Sequence, residues 1–441
     1  MKLFYCLIIL VVFQNCSFDN KSGIWKNENT TPDVDKDYLK ELVTLSSSNE
    51  LFDKIIPVDI NFKFKLPSIV DNFEWNDIFY KKDNNLQNFK YNDLNRILFK
   101  SKKLSRHSTS NFIIFEDGNV ILSDFMGNII VFSINQKKII TKFNFYKKKH
   151  KNINKFLNLI VENNIIYVSD NLGYLYAFDY RNNKILWAKN YKVPFRSNLK
   201  LFKNKLIASN LNNSLFFFNK SNGNNLKLIP TEETIVKNQF KNNLSLDEKN
   251  LFFLNTYGSL YSIDNESMKI NWFINLNQSL DLNPSNLFSG HPIINENERI
   301  IVSSNQFTFI VNKLSGSIKY KKNFSSQIKP IILNNYLFLI TKNNLLIAMD
   351  TQRGEIIYST DINQSVAEYL NTKKKKVKFK NLIISNNKIL IFLENSYVIK
   401  FSIMGNIEQV YRLPTKINSF PIFINSSMIF LNSKNKVSII D

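Results

Sequence analysis

The sequence predicts an all-β fold, an eight-bladed β-propeller whose ring is closed by an N-terminal strand. Three observations carry this expectation. The 441 residues include 38 Phe and 18 Tyr against ten Gly and ten Pro, a supply of aromatic surface that suits a pleated, half-buried sheet better than a helix. A pattern of apolar run, turn, alternating run, turn and outer run recurs eight times with a mean period of about 44 residues, the spacing of a multi-stranded propeller blade. The eighth copy reaches Asp441 just when its outer strand is due, so a ring without an exposed sheet edge needs that strand from elsewhere in the chain.

From the N-terminus, Met1 and Lys2 precede an apolar run over 3–13, with Cys16 just beyond. The run is too short to span a bilayer as a helix and reads as a signal segment, residues 1–15. A cysteine so placed resembles the bacterial lipoprotein signal, which implies diacylation of the Cys16 thiol and cleavage before it. Ser17 in place of Asp implies sorting to the outer membrane. A secretory signal with an incidental cysteine is the alternative. Residues 16–54 are polar and read as a tether, in which Tyr38, Leu39, Leu42 and Val43 could line one face of a short helix. The propeller is expected over 55–441.

The repeat is clearest over 164–187, where two turns separate an apolar run, an alternating run closed by Asp179, and Lys184 to Trp187. That is the grammar of consecutive antiparallel strands. The middle strand is closed by a polar residue in each copy: Asn135, Asp179, Asn219, Asp264, Asn312, Asp350, Ser402 and Asp441. Gly127, Gly173 and Gly258 occupy the preceding turn, with Asn344 and Asn435 as substitutes, and Gly223, Gly316 and Gly354 the following one. Trp187 and Trp272, replaced by Tyr320 and Tyr358 in other copies, read as packing between blades. Pro292, Pro330 and Pro421 each open a fresh apolar run, as a first strand tolerates. Ile60 to Leu66 alternate apolar and polar residues and are the expected closing strand.

Composition excludes several functions. Two cysteines, Cys6 and Cys16, allow no disulfide framework or thiolate cluster, and three scattered histidines make a His-based metal site improbable. No catalytic, cofactor-binding or metal-ligating residue is expected. The net charge of +22 is mostly Lys spread along the chain, which argues for compositional bias over a nucleic-acid face. Lys147 to Lys149 with His150, and Lys373 to Lys376, read as solvated loops.

The pattern G-x-L-x-A-[FIM]-D-x-x-x-G-x-[IL]-x-W, closest in the second and fourth copies, resembles the PQQ-like propeller repeat from about residue 55 onward. No Trp-Asp dipeptide points to WD40, and no Gly-Gly to Kelch. With the lipoprotein-like start and the polar tether, the chain resembles the BamB family of propeller lipoproteins. That resemblance implies a non-enzymatic scaffold on the periplasmic side of the outer membrane, docked on the POTRA domains of the barrel-forming subunit. Unfolded barrel precursors could be further partners. Val193, Pro194, Phe195, Arg196 and Ser197 resemble the family's docking segment, which implies partner contacts from Val193, Phe195 and Arg196. A loop Arg paired with a neighbouring carboxylate is the other reading of Arg196. The alternatives for the whole chain are a propeller lipoprotein of another envelope complex and a quinoprotein dehydrogenase. The latter would need a Ca²⁺ site, an Asp base and usually paired cysteines, and no cysteine follows Cys16.

Overall fold

Each repeat folds into a four-stranded antiparallel sheet because its three inner runs are apolar on both faces while its outermost run alternates. In the second blade, for example, Ile165–Asp170 and Tyr174–Asp179 are almost wholly buried, whereas Lys184–Asn190 is largely exposed at the rim. A computed structural model describes residues 51–146, 150–233, 241–277, 288–304 and 306–441. It also describes the backbone of a short antiparallel pair, Cys16–Phe18 with Trp25–Asn27. The chain divides into two compact units, Met1–Glu50 and Leu51–Asp441. The expected signal segment, the tether helix around Tyr38 to Val43, and Lys147 to Lys149 lie outside the described residues.

The second unit is an eight-bladed propeller. Its blades cover 114–144, 157–190, 200–229, 243–275, 294–322, 331–361, 379–412 and 422–440, each running from an inner to an outer strand, with the eighth completed from the N-terminal side. In every blade the register slips between the last two strands, at Ala177/Phe178, Ser262/Ile263 and Ala348/Met349 for example. Such a bulge increases twist and bends the outer strand. The closing polar residues fall at the ends of third strands as expected, except in the first blade, where the strand Asn128–Ser133 ends two residues before Asn135, and in the eighth, where Val437–Ile440 ends one residue before Asp441.

The repeated aromatic locks neighbouring blades together. A Cβ on Gly223, which has φ +72°, would lie 2.4 Å from the Trp187 ring of the preceding blade, and one on Gly316, at φ +73°, would lie 2.6 Å from Trp272. Only glycine combines that backbone conformation with so close an approach. The indole Nε1 of Trp187 donates to the Lys220 carbonyl at 2.9 Å and that of Trp272 to the Lys313 carbonyl at 3.1 Å. Tyr320 repeats the arrangement with its hydroxyl on the Gln352 carbonyl at 2.7 Å.

An N-terminal strand closes the ring, but not the expected one. Ile97–Lys100 pairs antiparallel with Val437–Ile440 as the outer strand of the eighth blade. Residues 51–66 instead cross the sixth blade: Ile56 bridges Ser359, and Phe64 lies 4.8 Å from the Tyr336 ring and 5.7 Å from Phe338. Ile60 is 95% exposed. The alternation at 60–66 thus reports a chain lying with one side against protein, without the ladder of a strand. One element was not anticipated, a helix Ile362–Tyr369 between the sixth and seventh blades, capped by Asp361 accepting from the Gln364 amide at 3.0 Å. No helix among the described residues is long and apolar enough to cross a membrane.

Candidate functional site

The centre of the ring is where the eight inner strands converge, and one end of it is filled by the chain itself. Residues 72–89 visit all eight blades. Trp75 exchanges backbone hydrogen bonds with Phe115 at 2.8 Å in both directions, and the Asn76 carbonyl accepts from Val161 at 3.0 Å. The Lys82 carbonyl accepts from Leu246 at 2.8 Å, and that of Asp83 from Asn295 at 3.2 Å. Asn85 Nδ2 donates to the Ile332 carbonyl at 2.8 Å, Asn88–Phe89 pairs parallel with Ile384–Ser385, and Asn72 Nδ2 donates to Phe423 at 2.8 Å. The third blade is held by a buried ion pair, Lys200 Nζ to Asp77 Oδ2 at 2.6 Å, with Asn84 Oδ1 also at 2.6 Å. Asn side chains suit this plug because each offers both a donor and an acceptor to inner-strand backbone. Behind them Trp75, Tyr80 and Phe89 form a packed aromatic cluster.

At the opposite end, where the inner strands begin, the ring opens into a funnel of about 730 Å³. The plug supplies its floor through Trp75, Ile78, Phe79 and Leu86. Its described lining includes four lysines (Lys155, Lys241, Lys329 and Lys380) and His291, and no Asp or Glu. Burial holds the Lys329 ammonium down to about 7, with Asp83 and Asp77 opposing and Lys200 adding to the fall. Burial also lowers Lys241, helped by the nearby Arg196 guanidinium, and lowers Lys380 against the pull of Glu394. His291 is lowered by burial and binds the Ser326 carbonyl through Nε2 at 2.8 Å.

The loop of the expected docking segment lies on the same side of the ring. Phe195 is only 3% exposed, packed against Tyr191 and Phe218 at ring separations of 5.9 and 6.0 Å. It therefore braces the loop from below instead of facing outward. Val193 and Arg196 are half-buried. Arg196 donates its backbone amide to Ser209 at 2.9 Å, and among the described residues its guanidinium forms no ion pair. The side chain of Cys16 lies outside the described residues. Sequence reading missed the plug and the funnel lysines. The clustering of Asn at 72, 76, 84, 85 and 88 was the available signal.

No described group of three or more His, Cys, Asp or Glu could hold a metal ion. A quinone with Ca²⁺, as the dehydrogenase alternative requires, does not fit the described lining, which has neither carboxylate nor cysteine.

The ring and its repeat define a PQQ-like β-propeller, the fold shared by BamB and quinoprotein dehydrogenases. More particularly, the family model described as outer membrane protein assembly factor BamB matches residues 158–360, which span the second to sixth blades. No curated protein matches the chain in sequence. Among solved structures, BamB from Moraxella catarrhalis superposes with a TM-score of 0.62 at 12% identity, covering 78% of this chain and 99% of that one. The computationally designed protein Ika8 gives 0.59 at 10% identity, covering 78% and 99%. Quinohemoprotein alcohol dehydrogenase from Comamonas testosteroni gives 0.59 at 9%, covering 83% and 80%. A designed ring scoring level with an enzyme makes clear that these likenesses concern the fold.

Proposed function

We propose that the chain is a non-enzymatic scaffold lipoprotein of the outer-membrane β-barrel assembly complex. It is anchored on the periplasmic face of the outer membrane through acylated Cys16 and docks on the POTRA domains of the barrel-forming subunit. The observation that carries this reading is the match of the BamB-described family model to residues 158–360, a stretch that contains the 193–197 loop. Arg196 supports it: a half-buried guanidinium with no ion pair among the described residues is ready for a bidentate carboxylate on a partner. Val193 supplies the apolar contact beside it, and Phe195 holds the loop in place. Unfolded barrel precursors are a second class of partner. The outer strand Asn225–Ile229 exposes Leu226 and Leu228 along a free edge, the kind of edge to which an extended segment adds.

The dehydrogenase reading draws on the structural likeness to quinoproteins. Against it stand the lining, which offers no described carboxylate to act as base, and the plug, which takes up one end of the axis. Isolation of the acylated full chain from envelope extracts separates the two. Co-purifying barrel-assembly subunits are expected; a quinone bound one to one, without those subunits, would overturn the scaffold reading.

A further inference from the structure

The funnel holds an excess of positive charge that the protein itself does not neutralise. Lys155 is accounted for, since its Nζ donates to the His150 carbonyl at 2.5 Å and lies 5.6 Å from the Tyr146 ring. The ammonium groups of Lys241, Lys329 and Lys380 make no hydrogen bond and no ion pair among the described residues. The proton affinity of each is lowered. Lys241 is exposed and Lys329 and Lys380 are half-buried, and three like charges around one cavity with no acid in its described lining focus a positive potential into it that draws anions. Aromatic surface links two of them. Lys329 Nζ lies 5.8 Å from the Phe79 ring and Lys380 Nζ 5.6 Å from Phe420. Phe112 sits between those rings, 5.5 Å from Phe79 and 5.0 Å from Phe420. The result is a continuous aromatic wall, its rings set at 89° and 44° to one another, with a cation at each end and a third, Lys241, in the same lining. Because the plug makes the cavity blind, a ligand entering it leaves water behind, which strengthens each charge contact. A volume of about 730 Å³ suits a small molecule and is too small for a folded domain.

We propose that the funnel is a binding site for a small organic anion, whose acidic groups neutralise Lys329, Lys380 and Lys241 while its apolar body lies on the Phe79, Phe112 and Phe420 rings. The site does not rest on the docking reading, since it uses none of Val193, Phe195 or Arg196. It implies no redox step. Carboxylic acids and phosphate esters share the required chemistry.

The test is calorimetric titration of the full chain, in detergent at low ionic strength, with benzene-1,3,5-tricarboxylate and with phenyl phosphate. Benzene-1,3,5-tricarboxamide serves as the uncharged control. Binding of one or both anions but not of the amide is expected, with Lys329→Met and Lys380→Met each weakening it about tenfold, the loss of one charge-assisted contact. The stronger of the two anions assigns the class, carboxylic acid or phosphate ester. Near pH 8, binding should draw a proton onto Lys329, whose facing charges are Asp77, Asp83 and Lys200. That uptake should vanish in Lys329→Met, a change that a purely structural lysine would not produce. Failure of both anions to bind, binding equal to that of the amide, or undiminished binding by both folded variants would overturn the proposal.

Discussion

Replacing Asp77 with Ala tests whether the plug is an integral part of the ring. The wild-type pair sits 2.6 Å apart, with side chains 0% exposed for Lys200 and 6% for Asp77. After the change, Lys200 keeps only neutral acceptors, Asn84 Oδ1 at 2.6 Å and the Lys81 carbonyl at 3.1 Å. Breaking a buried pair from one side leaves an uncompensated charge and costs about 3–5 kcal/mol. Unfolding entropy near 2.1 cal/mol/K per residue, over the roughly 390 residues of the second unit, gives about 0.8 kcal/mol/K and hence a fall in Tm of about 4–6 °C. Differential scanning calorimetry reads that fall, and hydrogen exchange should show amides in 72–89 losing protection ahead of the blades. Asp77→Leu combined with Lys200→Met, which removes both charges, should recover most of the loss. A single-variant shift below about 1 °C, or a double variant as unstable as the single, would refute the reasoning that this pair anchors the plug.

Other outcomes follow from the same geometry. Gly316→Ala puts a methyl group 2.6 Å from Trp272 at φ +73°; a loss of about 1–3 kcal/mol, with altered indole fluorescence, is expected in denaturant titration. Truncation through residue 50 should leave the melting of the ring unchanged, whereas truncation through residue 100 removes both the plug and Ile97–Lys100 and should give an aggregating product on gel filtration. Lys329 titrates near 7 in the folded chain against an ordinary value of 10.5. Between those values the unfolded chain holds the proton and the folded chain does not, so this group's contribution to stability rises with pH across that window. Lys329→Met should therefore be more stable than wild type at pH 6, with the gap closing toward pH 10 in parallel chemical denaturations.

The blades were legible in the sequence because every copy repeats the same local demands. Asp179 and Asp264 close a strand, Gly223 and Gly316 permit a turn, and Trp187 and Trp272 fill the space those glycines leave. The closing strand was harder to place. Alternation at Ile60 to Leu66 and the short Ile97–Lys100 run both report one side against protein, and neither shows which neighbour it meets. The plug was illegible for a different reason. Its residues satisfy inner-strand backbone through Asn side chains, so they read as polar loop, and their partners lie as far as 351 residues away along the chain, as Asn72 and Phe423 do. The funnel lysines come from separate blades, and only closure of the ring brings them together. For the 193–197 loop, the sequence placed Arg196 where a partner could reach it. The burial of Phe195 depends on Tyr191 and Phe218, and on how tightly the second and third blades pack.

The scaffold role turns most directly on whether the folded chain binds the periplasmic POTRA domains of the barrel-forming subunit through this loop. Surface plasmon resonance with immobilised POTRA domains, comparing wild type with Arg196→Glu, measures it. Wild type should bind. Removing a charge-assisted contact and setting a like charge against its carboxylate should weaken the variant by about 2–5 kcal/mol, roughly thirtyfold or more, with unchanged circular dichroism. Absence of wild-type binding would contradict the scaffold role, and equal binding by wild type and variant would contradict the assignment of Arg196 to the docking surface.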